Sequence, residues 1–173
     1  MTPGAAPPAQ GARPRTAARL AAVQALYQVD QTGSPPEAVM NEFIRHRLSV
    51  PAAPGADFAA GIAEGETPTE AVPLFVAIIR GWATRAEALD AAIAAALAAG
   101  WPMHRLDPVL RSIFRAAASE LFDAGGAPAR VVLDEYMDVA HGFFGPEETR
   151  FANGVMDTLA HRLRAQDFPA RPA

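Results

Sequence analysis

The chain has 173 residues, of which half are hydrophobic and a fifth are charged, and its formal net charge is −4. This length suits one domain with a hydrophobic core and does not require two, and the composition is typical of a soluble globular protein. The negative charge excludes a globally basic nucleic-acid binder, and the absence of cysteine excludes disulfides, zinc–thiolate sites and thiol nucleophiles.

The amino terminus combines a tail and a cationic arm. Residues 1–12, MTPGAAPPAQGA, are rich in Pro, Gly and Ala, which predicts a disordered tail. They lack the features of a secretory signal, and no apolar run approaches the ~20 residues of a membrane span, so we expect a cytoplasmic protein without membrane contact. Arg13, Arg15 and Arg19 follow before the first acid. Their guanidinium groups could neutralise phosphates and stack on bases, or could form an inert cationic tail, and composition leaves both open.

Two helices are predicted before an insertion. The apolar spacing predicts a first helix from about Arg15 to Gln31. Ser34 and Glu37 have the spacing of a capping box, which would open a second helix that ends near Leu48. The segment 49–70 is acidic and rich in Pro, Gly and Ala, so we interpret it as an insertion.

Further helices follow at points where glycine is closely followed by proline, the residues that suit helix ends and helix starts. The insertion would lie within one helical domain over 13–167, and residues 168–173 would form a second tail. No segment shows the alternation of a strand, so the predicted fold is all-α, a compact bundle of six or seven helices. The later helices are predicted at about 75–97 (one bent helix or two), 107–121 with Asp107 as N-cap, from 128, and 146–165.

The stretch RFANGVMDTL, residues 150–159, carries conflicting signals. Asn153-Gly154 is typical of a hairpin turn, yet an apolar row that begins at Phe151 recurs every four residues, as in a helix. Because Pro146 would start this helix, the Asn-Gly pair falls inside it. We therefore expect Gly154 to let another helix approach closely, although glycine costs roughly 1 kcal/mol relative to alanine there.

Catalytic chemistry finds little support. The four histidines have no spacing that places two on one helical turn, and no carboxylate accompanies them at a metal-site interval. Asp134, Glu135 and Asp138 look like a carboxylate cluster, but Asp134 and Asp138 share the helix face opposite the apolar one, which indicates a solvated surface. There is no phosphate-binding glycine loop, GxSxG or HExxH motif. We predict no enzyme activity, metal, cofactor or small-molecule substrate.

The first turn of the last helix is a second candidate for anion binding. Glu147, Glu148 and Arg150 surround Phe151, where exposed helix amides could bind anions and the ring could stack on an unpaired base. Burial in the core is the ordinary alternative for a phenylalanine.

Five segments together resemble the NusB family of bacterial transcription antitermination factors, in order and at matching separations. The most specific are AVQALYQ, within residues 17–30, and RFANGVMD, within 150–159. The others are Leu89-Asp90, RLDPVLRSIFRAAASEL (105–121) and PARVVLDEYMDVAHGF (128–143). The resemblance covers residues 13 to 164.

The resemblance implies a non-catalytic pair of three-helix bundles. NusB proteins bind the boxA RNA of nascent ribosomal RNA transcripts with the ribosomal protein NusE, within the RNA polymerase antitermination complex, and some form homodimers. Matching positions imply RNA contacts for Arg13, Arg15, Arg19, Glu147, Arg150 and Phe151, and a NusE and RNA surface at Tyr27 and Glu120. The acidic charge, the insertion and the small residues 116–119 depart from the family pattern.

Two other functions are considered. The chain could be the RNA-recognition module of a system that methylates ribosomal RNA, although it has no room for a cofactor domain and no catalytic cysteine. It could instead be a helical adaptor that binds only proteins, with an inert arginine arm.

Overall fold

The structure, a computed structural model, describes residues 13–48 and 71–169, and for residues 13 and 14 only the backbone. The predicted tail over 1–12, the insertion over 49–70 and the last four residues lie outside this part. The described residues form six α-helices and no strand, which confirms the all-α prediction. The helices are α1 (Arg13–Thr32), α2 (Pro36–Phe43), α3 (Ala71–Ala96), α4 (Pro108–Phe122), α5 (Ala129–Phe143) and α6 (Pro146–Leu163), with a π-helical turn at Ile44–Leu48 and 3-10 turns at Met103–Arg105 and Ala165–Asp167.

The helices pack as two bundles of three around one continuous core. The first bundle contains α1, α2 and α3, and the second contains α4, α5 and α6. Helix α4 also packs along α1 and α3, so it joins the two bundles, and all ten residues over 112–121 except Arg115 are buried. Large side chains from several helices fill this core, including Leu26, Ile79, Phe114 and Tyr136. The predicted pair of three-helix bundles is confirmed.

Helix starts follow the sequence signals in one case and depart from them in another. Asp107 caps α4 as predicted, because its Oδ1 accepts hydrogen bonds from the amides of Val109 at 2.8 Å and Leu110 at 3.3 Å. The predicted capping box at Ser34 and Glu37 is wrong, as the N-cap of α2 is Pro35 and has no side-chain cap.

Both residues of the predicted capping box have other partners. The amide of Ser34 donates to Thr32 Oγ1, and Glu37 accepts a hydrogen bond at 2.7 Å from Arg80 of α3. Because α2 begins at Pro36, Ser34 lies one residue too far from its first turn to cap it.

The long apolar stripe forms a single bent helix, one of the two forms predicted. The bend in α3 is at Arg85, whose φ of −131° and ψ of 19° interrupt the helical backbone.

The end of α6 is held against the connection between α4 and α5. There the buried guanidinium of Arg164 donates to the carbonyls of Asp123 at 3.0 Å and Ala127 at 3.3 Å. Phe168, assigned to the tail by the sequence, stacks on His161 with ring centroids 3.9 Å apart.

The close-packing prediction for Gly154 is wrong. Gly154 is exposed on α6, and a Cβ added there would have no atom within 4 Å. The glycine at a close helix contact is Gly81 of α3, where an added Cβ would lie 2.6 Å from Ser119 Oγ of α4. That hydroxyl donates to the carbonyl of Ile78 at 2.7 Å, so it cannot move without losing a buried hydrogen bond.

The two glycines therefore respond oppositely to alanine. We expect Gly154→Ala to raise the free energy of unfolding by about 1 kcal/mol, because alanine lowers the entropy of the unfolded chain and meets no obstacle here. Gly81→Ala is the matched control and should lower it. Urea unfolding of both variants measures the difference, and a loss of stability in Gly154→Ala would contradict this placement.

Candidate nucleic-acid interface

The amino-terminal arginines lead into a groove beside α1. Arg15 is exposed and lines this groove of about 510 Å³, which has α3 on one side and the connection after α4 on the other. Arg13 is the first residue of α1, and its side chain lies outside the described part. The groove is also lined by Arg19, Leu74, Ile78, Ser119, Glu120 and Asp123.

Arg19 and Glu120 form a buried ion pair, which corrects both assignments to an exposed surface. Arg19 is 2% exposed and Glu120 is 5% exposed. Nε of Arg19 donates to Oε2 of Glu120 at 2.9 Å, and Nη2 donates to Oε1 at 2.5 Å. Burial alone would lower the pKa of Arg19, but the hydrogen bonds and charge of Glu120 raise it above its ordinary value. The guanidinium is therefore charged, buried and paired with carboxylates inside the protein.

A second carboxylate completes this cluster. Glu135 of α5 lies 3.1 Å from Nη1 of Arg19 and accepts a hydrogen bond from Thr16 Oγ1 at 2.8 Å. The interpretation of 134–138 as a solvated acidic face is thus correct for the exposed Asp134 and Asp138 but wrong for Glu135. Arg19 consequently fixes the start of α1 against both α4 and α5, and this contact sets the direction from which Arg15 enters the groove.

Sequence spacing contains a signal for this burial. Arg19 lies four and seven residues before Val23 and Leu26, which are both buried, so a helix places the arginine on its apolar face. A charged residue on such a face requires an opposite charge.

The start of α6 presents an exposed cation beside a half-buried aromatic ring. Arg150 and Glu147 are exposed, and Phe151 is half-buried, with its ring 6.4 Å from that of Phe114 in the core. The other ring beside Phe151 is that of Trp101, at 6.2 Å. Trp101 is 51% exposed and is not among the residues singled out from the sequence.

Arg150 also borders the groove between α5 and α6. This groove has a volume of about 660 Å³, and Asp134, Asp138 and His141 line its α5 side. Arg150 and Arg15 thus border two different grooves. The predicted RNA contacts fall into one group on α1 and another at the start of α6.

Tyr27 lies in a third, mainly apolar groove of about 440 Å³. It is 39% exposed and shares the groove with Val109 and with Phe143, which is 50% exposed and was also missed. Exposed tyrosine and phenylalanine on an apolar concave surface are typical of protein interfaces. Glu120, predicted to share the partner surface with Tyr27, lines the groove of Arg15 instead.

Within residues 13–48 and 71–169, no three His, Asp or Glu side chains are grouped to hold a metal ion. The helices of this part include none that is long and apolar enough to cross a membrane.

Comparison with known proteins matches the chain to one family. The NusB family profile matches residues 16–161. The transcription antitermination protein NusB of Granulibacter bethesdensis is 48% identical over 156 residues, which cover 90% of this chain and 93% of that protein. The transcription antitermination protein NusB of Gluconobacter oxydans is 42% identical over 150 residues, covering 87% of this chain and 88% of that protein.

Solved structures show the same fold. NusB of T. maritima superposes with a TM-score of 0.65 at 23% identity, covering 88% of this chain and 95% of the other. A chain from a crystal structure of the antitermination factors NusB and NusE in complex with dsRNA gives a TM-score of 0.63 at 21% identity, covering 87% and 98%. By the family profile and by its identity to these relatives over most of their length, the chain belongs to the NusB family.

Proposed function

We propose that this chain is a transcription antitermination factor that binds the boxA RNA of nascent ribosomal RNA transcripts together with the ribosomal protein NusE. It thereby promotes read-through by RNA polymerase. It acts in the cytoplasm by binding and not by catalysis. Relatives up to 48% identical are named transcription antitermination proteins, and a structure of the same fold contains NusB, NusE and RNA.

The observation that carries this proposal is the pair formed by Arg150 and Phe151. A solvent-facing guanidinium can neutralise a phosphate, and a half-exposed ring beside it can stack on an unpaired base. Glu147, one turn earlier on the same face of α6, can accept a hydrogen bond from a base amino group. This combination gives RNA affinity to a chain whose net charge is negative, because the cation and the ring act locally.

The arginine arm contributes a second set of phosphate contacts. Arg15 supplies an exposed cation at the groove, and Arg13, two residues earlier in the sequence, is proposed to contribute another. Arg19 and Glu120 serve this surface indirectly, since their ion pair fixes the start of α1. The groove of Tyr27 and Phe143 is proposed to receive NusE, because its apolar lining suits a protein side chain more than a phosphate.

Salt dependence tests the phosphate contacts. We expect Arg15→Gln and Arg150→Gln each to reduce the slope of log affinity against log salt by about 0.7, the value for one lost phosphate contact on a single strand. The RNA is boxA RNA, titrated in the presence of NusE. Arg162→Gln, an exposed arginine in the last turn of α6, is the matched control with the same change in net charge.

Two results would contradict the proposal. Binding that is independent of salt would exclude phosphate contacts altogether. If the slope of log affinity against log salt in all three variants equals that of the parent, the chain is an adaptor that binds only proteins, and NusE alone makes the RNA contacts.

A further inference from the structure

Trp101 is exposed in a way that the fold does not require. It lies in the connection between α3 and α4, directly after Gly100, whose φ of +83° turns the chain. The amide of Trp101 donates to the carbonyl of Ala98 at 3.0 Å. The backbone of this turn is therefore fixed, and the indole is still 51% exposed. A large aromatic ring held on a rigid turn and half in water is typical of a binding surface.

The indole continues a row of rings that begins in the core. Phe114 of α4 is fully buried, and the ring of Phe151 of α6 packs against it with centroids 6.4 Å apart. The ring of Trp101 lies beyond Phe151, with centroids 6.2 Å apart. The planes of Trp101 and Phe151 are tilted by 47°, so they are not stacked on each other. Since the core ring supports Phe151 and Phe151 supports Trp101, a planar ligand would meet an ordered surface with little side-chain entropy to lose.

The charges around this row favour nucleic acid. Arg150 precedes Phe151, and His104 and Arg105 are exposed in the 3-10 turn that follows Trp101. Glu147 and Glu148, one helical turn before Phe151, are exposed acids at this end of α6. Exposed arginines thus neighbour both rings in the sequence, Arg105 after Trp101 and Arg150 before Phe151, which suits a nucleotide whose phosphate lies beside its base.

We propose that Trp101 and Phe151 together form a stacking site for an unpaired base of single-stranded RNA, with Trp101 supplying the outer surface. This inference rests on the RNA-binding function proposed above and adds a residue to it. The π-face of an indole accepts any base, so Trp101 contributes affinity more than sequence preference.

The first test compares two exposed aromatic residues. We expect Trp101→Ala to weaken boxA RNA binding in the presence of NusE by roughly 5- to 100-fold, the range for loss of one base–aromatic stack. Trp101→Phe should retain most of the affinity. Phe122→Ala is the matched control, because Phe122 is 48% exposed on α4 and contacts the guanidinium of Arg85. It should bind RNA as the parent does, and all three variants should bind NusE normally.

The second test observes the indole directly. Trp82 is 9% exposed, so the variant Trp82→Phe leaves Trp101 as the sole tryptophan reporter. We expect its fluorescence to be quenched when boxA RNA is added to the complex with NusE, and not when NusE alone is added. The parent protein, in which both tryptophans report, gives the same comparison if Trp82→Phe fails to fold.

The outcomes separate this inference from the proposed function. RNA binding that Arg150→Gln weakens and Trp101→Ala leaves unchanged would overturn the inference alone. Loss of NusE affinity in Trp101→Ala, with quenching by NusE alone, would overturn it in favour of a protein contact. A parent chain that binds no boxA RNA with NusE would overturn both.

Discussion

Replacing Arg19 with methionine is expected to lower the free energy of unfolding by about 3–5 kcal/mol, the usual cost of removing one partner from a buried ion pair. Glu120 would remain 5% exposed with its negative charge uncompensated, beside the fully buried ring of Tyr136. This loss is a large fraction of the ~5–15 kcal/mol that typically stabilises a domain. Urea unfolding followed by circular dichroism measures it.

Two comparisons make this result specific. Arg15→Met removes an exposed arginine one turn earlier on α1 and should leave the unfolding midpoint near that of the parent, while it weakens RNA binding. The double variant Arg19→Met with Glu120→Met should recover part of the loss, because it leaves no unpaired charge between α1 and α4. An unfolding midpoint of Arg19→Met equal to that of the parent would show that Arg19 is not buried with Glu120.

Replacing Asp30 with asparagine is expected to cost about 2–3 kcal/mol at neutral pH, because charged hydrogen bonds are lost at a partly buried site. Oδ2 of Asp30 accepts from Arg111 and Oδ1 accepts from Arg115, both at 2.7 Å. Arg115 also binds Asp90 of α3 through two hydrogen bonds of 2.9 and 2.7 Å. This network links α1 and α3 to α4, and therefore links the two bundles.

The effect of Asp30 depends on pH in a defined direction. Burial alone would raise its pKa, but the hydrogen bonds and charges of Arg111 and Arg115 outweigh burial and hold it below the ordinary value of 3.8. Stability from a carboxylate with a lowered pKa is present above the unfolded value and is lost as pH falls through the folded value. The difference in the free energy of unfolding between the parent and Asp30→Asn should therefore be constant from pH 7 to about pH 5 and should narrow below that.

Glu37→Gln provides the control for Asp30. Glu37 forms the same kind of two-bond pair with Arg80, at 2.7 and 3.3 Å, but on the surface. Solvent screens this pair, so little change in stability is expected. If Asp30→Asn loses no more free energy of unfolding at pH 7 than Glu37→Gln does, the buried network would be contradicted.

Local signals predicted the helices because helix ends depend on nearby residues. Asp107 followed by Pro108 supplies both the cap and the first residue of α4, and no distant partner is needed. The capping box failed for a local reason as well, since two prolines after Ser34 shift the start of α2 and leave the serine outside its first turn.

The functional surface was harder to predict because it depends on distant partners. Arg19 and Glu120 are 101 positions apart, and the residues around each one do not indicate that the other is its partner. Arg15 and Arg19 are one helical turn apart on α1, yet one is exposed and the other is buried. Gly81 and Gly154 are both helical glycines, and only the position of Ser119 shows which one permits close packing. The exposure of Trp101 likewise depends on where Phe151 lies.

The most direct test of the proposed function is a titration of boxA RNA against this chain with and without NusE. A scrambled RNA of the same length and composition serves as the control. We expect NusE to increase the affinity for boxA RNA over the scrambled RNA, and Phe151→Ala to reduce that gain. Affinity for boxA RNA equal to that for the scrambled RNA, with NusE present, would contradict the assignment of this chain as a boxA-binding antitermination factor.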